Sequence, residues 1–126
     1  MIDIKILVVD DEKEICDFSC SFLSKKNYKA FSAQTKDEAL AVARKERPHI
    51  VLLDVRLNME SGLDVLKELK SLDKEMKVIM VTAFDDDESR RKAMSLGADD
   101  YVVKPLEAGV VINMILQKIS SLNPSK

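Results

Sequence analysis

The sequence is poor in the residues that punctuate or staple a chain. It holds three glycines, three prolines, two cysteines and one histidine in 126 residues. The two cysteines, Cys16 and Cys20, make no disulfide framework, and without a nearby histidine they make a poor zinc site. They read as small residues on the inner side of a helix. No glycine follows the first apolar run, and no GxxxxGK[ST] loop is present, so a phosphate-cradling P-loop is excluded. No apolar run approaches the roughly 18 residues of a membrane span. The start, MIDIKILVVDDEK, has charges where a signal peptide carries its apolar stretch, so the expected location is cytoplasmic, away from membranes. Neither sign of charge dominates: the formal net charge is −2, which argues against direct nucleic-acid binding.

What is present is one core's worth of apolar residues, 46%, beside 33% charged residues, in a length that suits one domain. Apolar runs and helical periods alternate. Strands are expected over 5–10, 28–33, 49–54, 77–82 and 100–104. Helices are expected over 12–25, 35–46, 62–72, 85–97 and 106–121. Ile15, Phe18 and Phe22 share helical spacing. Thr35 and Glu38 form a capping box, and Gly97 stops the fourth helix. Five βα units with short connections predict an α/β fold, an open doubly wound five-stranded parallel sheet, (βα)5. Five strands are too few for a closed barrel. Strand order 2-1-3-4-5 is one solution for such a sheet.

Ligands of open α/β sheets bind beyond the carboxyl ends of the strands. Four of the five strands end in a polar residue: Asp10 and Asp11, then Asp54, Thr82 and Lys104. Parallel strands place these ends along one edge. Two carboxylates about 5 Å apart repel by roughly 3 kcal/mol at an effective dielectric near 20. Three of them together cannot all stay ionised without a counter-charge or a shifted pKa. An all-oxygen cluster suits a hard divalent cation, Mg²⁺ best. Lys104 and Thr82 offer a charge and a donor to an oxyanion, and Asp54 between metal and ammonium can act as a nucleophile forming an acyl phosphate. Taken alone, Asp10 or Asp11 could equally cap the following helix. The run Asp85-Asp86-Asp87-Glu88 is best read as a cap with acidic residues in the first helical turn. His49 opens the expected strand over 49–54 and is not expected to carry a phosphotransfer role.

The segments VVDDE, IVLLD, MVTA and GADDYVVKPL, with Asp10, Asp54, Thr82 and Lys104 spaced 44, 28 and 22 residues apart, resemble the receiver domain of two-component response regulators. The resemblance runs from about Lys5 to Ser120. It implies a flavodoxin-like fold, a receiver domain over 1–121 and a tail or linker start over 122–126. It implies that Asp54 accepts a phosphoryl group from the phosphohistidine of a sensor histidine kinase or phosphotransfer protein. Asp10, Asp11, Asp54 and the backbone carbonyl of Arg56 would hold Mg²⁺. Asp54, Thr82 and Lys104 would carry the chemistry. Such a domain catalyses its own phosphorylation and slow dephosphorylation without being a conventional turnover enzyme.

The resemblance further implies that Thr82 and Tyr101 switch between states. Arg56 and Phe84 would border the phosphoryl group and, being long and bulky, prolong its lifetime. An output domain, a target protein or a phosphorylation-dependent homodimer would read the switch, the last through a face around Val110 and Met114. One departure stands out: the family usually has a proline four residues after the phospho-acceptor, where this chain has Asn58. Gly62 matches the family.

Overall fold

The structure is a computed structural model that describes residues 3–83, 85–104 and 117. The expected helix over 106–121 (Gln117 apart), the boundary at 121, the tail, Phe84 and the face around Val110 and Met114 lie outside the described residues.

The described elements are β1 (Lys5–Val9), α1 (Lys13–Lys25), β2 (Lys29–Ala33), α2 (Lys36–Glu46), β3 (Ile50–Leu53), β4 (Arg56–Leu57), β5 (Glu60–Ser61), α3 (Gly62–Leu72), β6 (Lys77–Thr82), α4 (Asp87–Ser95) and β7 (Asp100–Val103). Five strands form one parallel sheet in the order β2-β1-β3-β6-β7. With the β4–β5 pair set aside, this is the expected order 2-1-3-4-5. The short antiparallel pair of β4 and β5 was not legible in the sequence, because two-residue strands show no period.

Between their polar ends the central strands are apolar because both of their faces are covered. Leu7, Val9, Val51, Leu53, Val78 and Met80 point to one side, where α2, α3 and α4 supply Leu40, Ala43, Val65, Leu66, Leu69 and Ala93. Ile6, Val8, Ile50, Leu52, Ile79 and Val81 point to the other, against Leu23 of α1. From α1, Cys16 is buried and Cys20 half-buried, as expected of small inner residues. Phe18 departs from expectation: it is 61% exposed. The buried stripe of α1 runs through Cys16 and Leu23, on the opposite side of the helix from Phe18.

Local signals end the helices. Thr35 caps α2 by accepting from the Glu38 N–H, although the Glu38 carboxylate meets the Thr35 hydroxyl rather than its main chain. Asp86 caps α4, accepting from the Glu88 N–H and the Ser89 hydroxyl. These bonds hold its carboxyl below the ordinary range. Gly97, at φ 100°, closes α4 in a Schellman turn, with Ala98 N–H donating to Ala93 and Gly97 N–H to Met94.

Candidate functional site at the carboxyl edge of the sheet

Register brings the site together. Val9 pairs with Leu53, so the next residues, Asp10 and Asp54, leave the sheet side by side. The Asp54 N–H donates to Val9 O at 3.0 Å, and the Asp10 N–H to Ala33 O at 3.1 Å. Thr82 ends β6 opposite Val103, and the Lys104 N–H donates to Thr82 O at 2.7 Å. Asp10, Asp54 and Thr82 are buried, a cost that polar groups meet only with partners.

Lys104 is the partner of two of them. Its Nζ lies 2.6 Å from Asp10 Oδ2 and 3.0 Å from Asp54 Oδ2. Burial works against the ammonium, but these two hydrogen bonds and the attraction of both carboxylates outweigh it and hold its pKa above the ordinary lysine value. One carboxylate oxygen from each of Asp10, Asp11 and Asp54 falls within 4.8 Å of the others. Three carboxylates against one ammonium leave positive charge in deficit. The all-oxygen donor set fits Mg²⁺, which takes one or two carboxylates and keeps water.

The two acidic neighbours separate in role. Neither caps α1: its N-cap is Glu12, which makes no side-chain cap bond. Asp10 Oδ1 instead accepts from the Glu12 N–H at 3.0 Å. Asp11, half-exposed, accepts through Oδ2 from the Asn58 N–H at 3.0 Å, and its carbonyl accepts from Gln34 Nε2 at 3.1 Å. The Arg56 N–H donates to Asp54 Oδ1 at 3.1 Å, so the main chain of Arg56 stands beside that carboxylate. Both Asp54 oxygens are thereby oriented, one by Arg56 and one by Lys104.

Gly62 serves this geometry. Its N–H donates to Val55 O at 2.6 Å, and a Cβ at this position would collide with the Asp54 carbonyl oxygen. Tyr101 pairs with Met80 in the sheet and is 4% exposed. Arg90 of α4 lies over its ring at 4.7 Å and donates to its carbonyl at 3.4 Å. His49 lies at the opposite edge, where Nδ1 accepts from the Lys5 N–H, a structural task.

The contributions of Asn58, Gln34 and Arg90 were not read from the sequence. Only Asn58 left a signal, as an asparagine where a proline is usual; the other two act across 23 and 11 residues and belong to no motif.

The response regulator receiver domain family matches residues 6–116. Among solved structures, a CheY-like response regulator receiver domain protein from Methanospirillum hungatei JF-1 superposes with a TM-score of 0.92 at 30% identity, covering 95% of this chain and 96% of that one. The BeF3-activated DrrB receiver domain gives 0.85 at 32%, covering 94% and 99%. NtrX from Brucella abortus, solved with ADP, gives 0.88 at 31%, covering 95% of this chain but 28% of its own length. With the carboxyl-edge cluster in place and the match spanning most of its length, this chain belongs to the response regulator receiver domain family.

Proposed function

We propose that Asp54 accepts a phosphoryl group from the phosphohistidine of a sensor histidine kinase or phosphotransfer protein, in a Mg²⁺-dependent reaction. The observation that carries the reading is Lys104 Nζ bridging Asp10 Oδ2 and Asp54 Oδ2 at 2.6 and 3.0 Å beside a third carboxylate.

An Asp54 oxygen attacks the phosphorus while the phosphorus–nitrogen bond to the imidazole breaks and its electron pair stays on the ring nitrogen. The product is an acyl phosphate. Asp10, Asp11, Asp54 and the Arg56 carbonyl would hold Mg²⁺, which would supply charge neutralisation there. Lys104 shifts from the carboxylates to an oxygen of the transferred group, and the Thr82 hydroxyl donates to another. The Arg56 N–H keeps its bond to Asp54 and fixes the angle of attack. Positioning and charge carry the rate. Water attacking the phosphorus in line later restores the carboxylate and releases phosphate. Arg56, exposed at the mouth of the site, hinders that water and lengthens the phosphorylated lifetime together with Phe84.

Thr82 drawn toward the phosphoryl group makes room for Tyr101, so phosphorylation shifts a population between two placements of that ring. The changed surface then meets an output domain, a target or a second copy. Among the described residues, no helix is long and apolar enough to cross a membrane.

The test is intact-protein mass spectrometry with acetyl phosphate and Mg²⁺. Wild type should gain one phosphoryl group and Asp54→Asn none. A full-stoichiometry adduct on Asp54→Asn would overturn the assignment.

A further inference from the structure

Asn58 stands where the backbone does something proline cannot. Its φ is 56°, in the left-handed region that asparagine tolerates and that proline, locked near about −65°, is denied. Its N–H, which proline lacks, donates to Asp11 Oδ2 across 47 residues at 3.0 Å. The hairpin bearing it is anchored on both sides. Leu57 is 1% exposed in the core, and Glu60 Oε1 accepts from the Lys36 N–H at the start of α2. The donor is therefore fixed and the carboxylate, half-exposed at the surface, is the group it steadies.

We propose that the Asn58 main chain is a positioning device for the cation site, which holds Asp11 by one oxygen and leaves the other free for the ion. This inference rests on the reading of Asp10, Asp11 and Asp54 as a Mg²⁺ site. A carboxylate tethered by a rigid donor keeps its orientation before the ion arrives. Removing such outer partners of metal ligands costs about 10- to 100-fold in affinity. The same bond ties occupancy of the site to the hairpin that carries Arg56.

The experiment measures Mg²⁺ affinity by calorimetry and Mn²⁺ affinity by electron paramagnetic resonance, without a phosphodonor. Asn58→Gly keeps both the N–H and the positive φ and should bind within about twofold of wild type. Asn58→Ala keeps the N–H but resists the φ, and should fall between glycine and proline. Asn58→Pro should weaken binding by about tenfold, the lower end of that range. A folded Asn58→Pro that melts earlier yet binds Mg²⁺ like wild type would overturn the inference, since a purely structural role behaves in that way. If Asn58→Pro does not fold, hydrogen exchange decides. The Asn58 amide should be protected in wild type and lose protection in Asp11→Ala, and equal exchange in both would overturn the bond itself. Wild type that binds no divalent ion would overturn the site reading, whereas wild-type affinity in folded Asn58→Pro overturns the positioning role alone.

Discussion

Lys104 carries the positive charge of the site on a side chain 22% exposed, between two nearly buried carboxylates. Replacing it with methionine leaves Asp10 and Asp54 facing each other without the ammonium that both Oδ2 atoms share, each keeping only its main-chain donor at Oδ1. Hydrogen bonds to charged groups contribute about 1.5–3 kcal/mol. Urea denaturation of Lys104→Met in metal-free buffer should show a loss of about 2 kcal/mol, and Mg²⁺ should restore part of it. The raised pKa of Lys104 makes its contribution complete below the ordinary lysine value and lost as pH climbs through the higher folded value. Cys16 behaves alike for a different reason. Burial pushes its thiol up to about 11, against 9.0 for a free thiol. The unfolded chain releases that proton first, so stability should fall as pH rises from about 9 to about 11. Iodoacetamide at pH 8 should accordingly spare Cys16 in the native protein and modify it readily in urea. Fast native labelling of Cys16 would contradict its burial against the Asp10 and Ala33 carbonyls at the ends of β1 and β2.

Two element ends bear directly on the site. The first turn of α3 packs so closely that Gly62→Ala must displace the main chain carrying Asp54. The variant should lose more than about 1 kcal/mol of stability, the upper end of ordinary glycine-to-alanine effects, and phosphorylate poorly with acetyl phosphate. On α4, Arg90 covers Tyr101 and pairs with Asp85 at 3.8 Å, in the segment that follows Thr82. This links the loop after β6 to the ring on β7. Arg90→Ala should expose the Tyr101 ring more often. The chain has no tryptophan, so in a Tyr28→Phe background Tyr101 is the sole strong fluorophore. Acrylamide should quench it more strongly after Arg90→Ala, and an unchanged quenching constant would show that the sheet alone holds the ring.

Across the molecule, an ion that binds only the folded cluster must stabilise the fold. At ten times its dissociation constant the gain is about 1.4 kcal/mol. Thermal melts of wild type should therefore shift upward with Mg²⁺, and Asp11→Ala should fold but show no shift. An equal shift in Asp11→Ala would place the ion elsewhere.

The division between what was legible in the chain and what was not follows the range of the interactions. Alternating apolar runs and helical periods marked five strands, and the polar residue at the end of four of them marked the edge where Asp10, Asp54, Thr82 and Lys104 meet. Parallel pairing makes that inference possible, because every strand of such a sheet ends on the same side. Caps were legible too, as with Asp86 and Gly97, since they act within a few residues. Asp10 and Asp11 looked alike in the sequence. Only tertiary packing distinguished them, burying Asp10 under Lys104 94 residues away and giving Asp11 to the Asn58 N–H. The same holds for Arg90 over Tyr101, and for Lys70, which meets Asp99 at 2.8 Å and the Met76 carbonyl at 2.6 Å to lock α3 against the start of β7. Local patterns are set by the backbone periods of helix and strand, which the chain repeats every few residues. Which charged atom meets which donor depends on register and helix placement, and these exist only after the two faces of the sheet are packed.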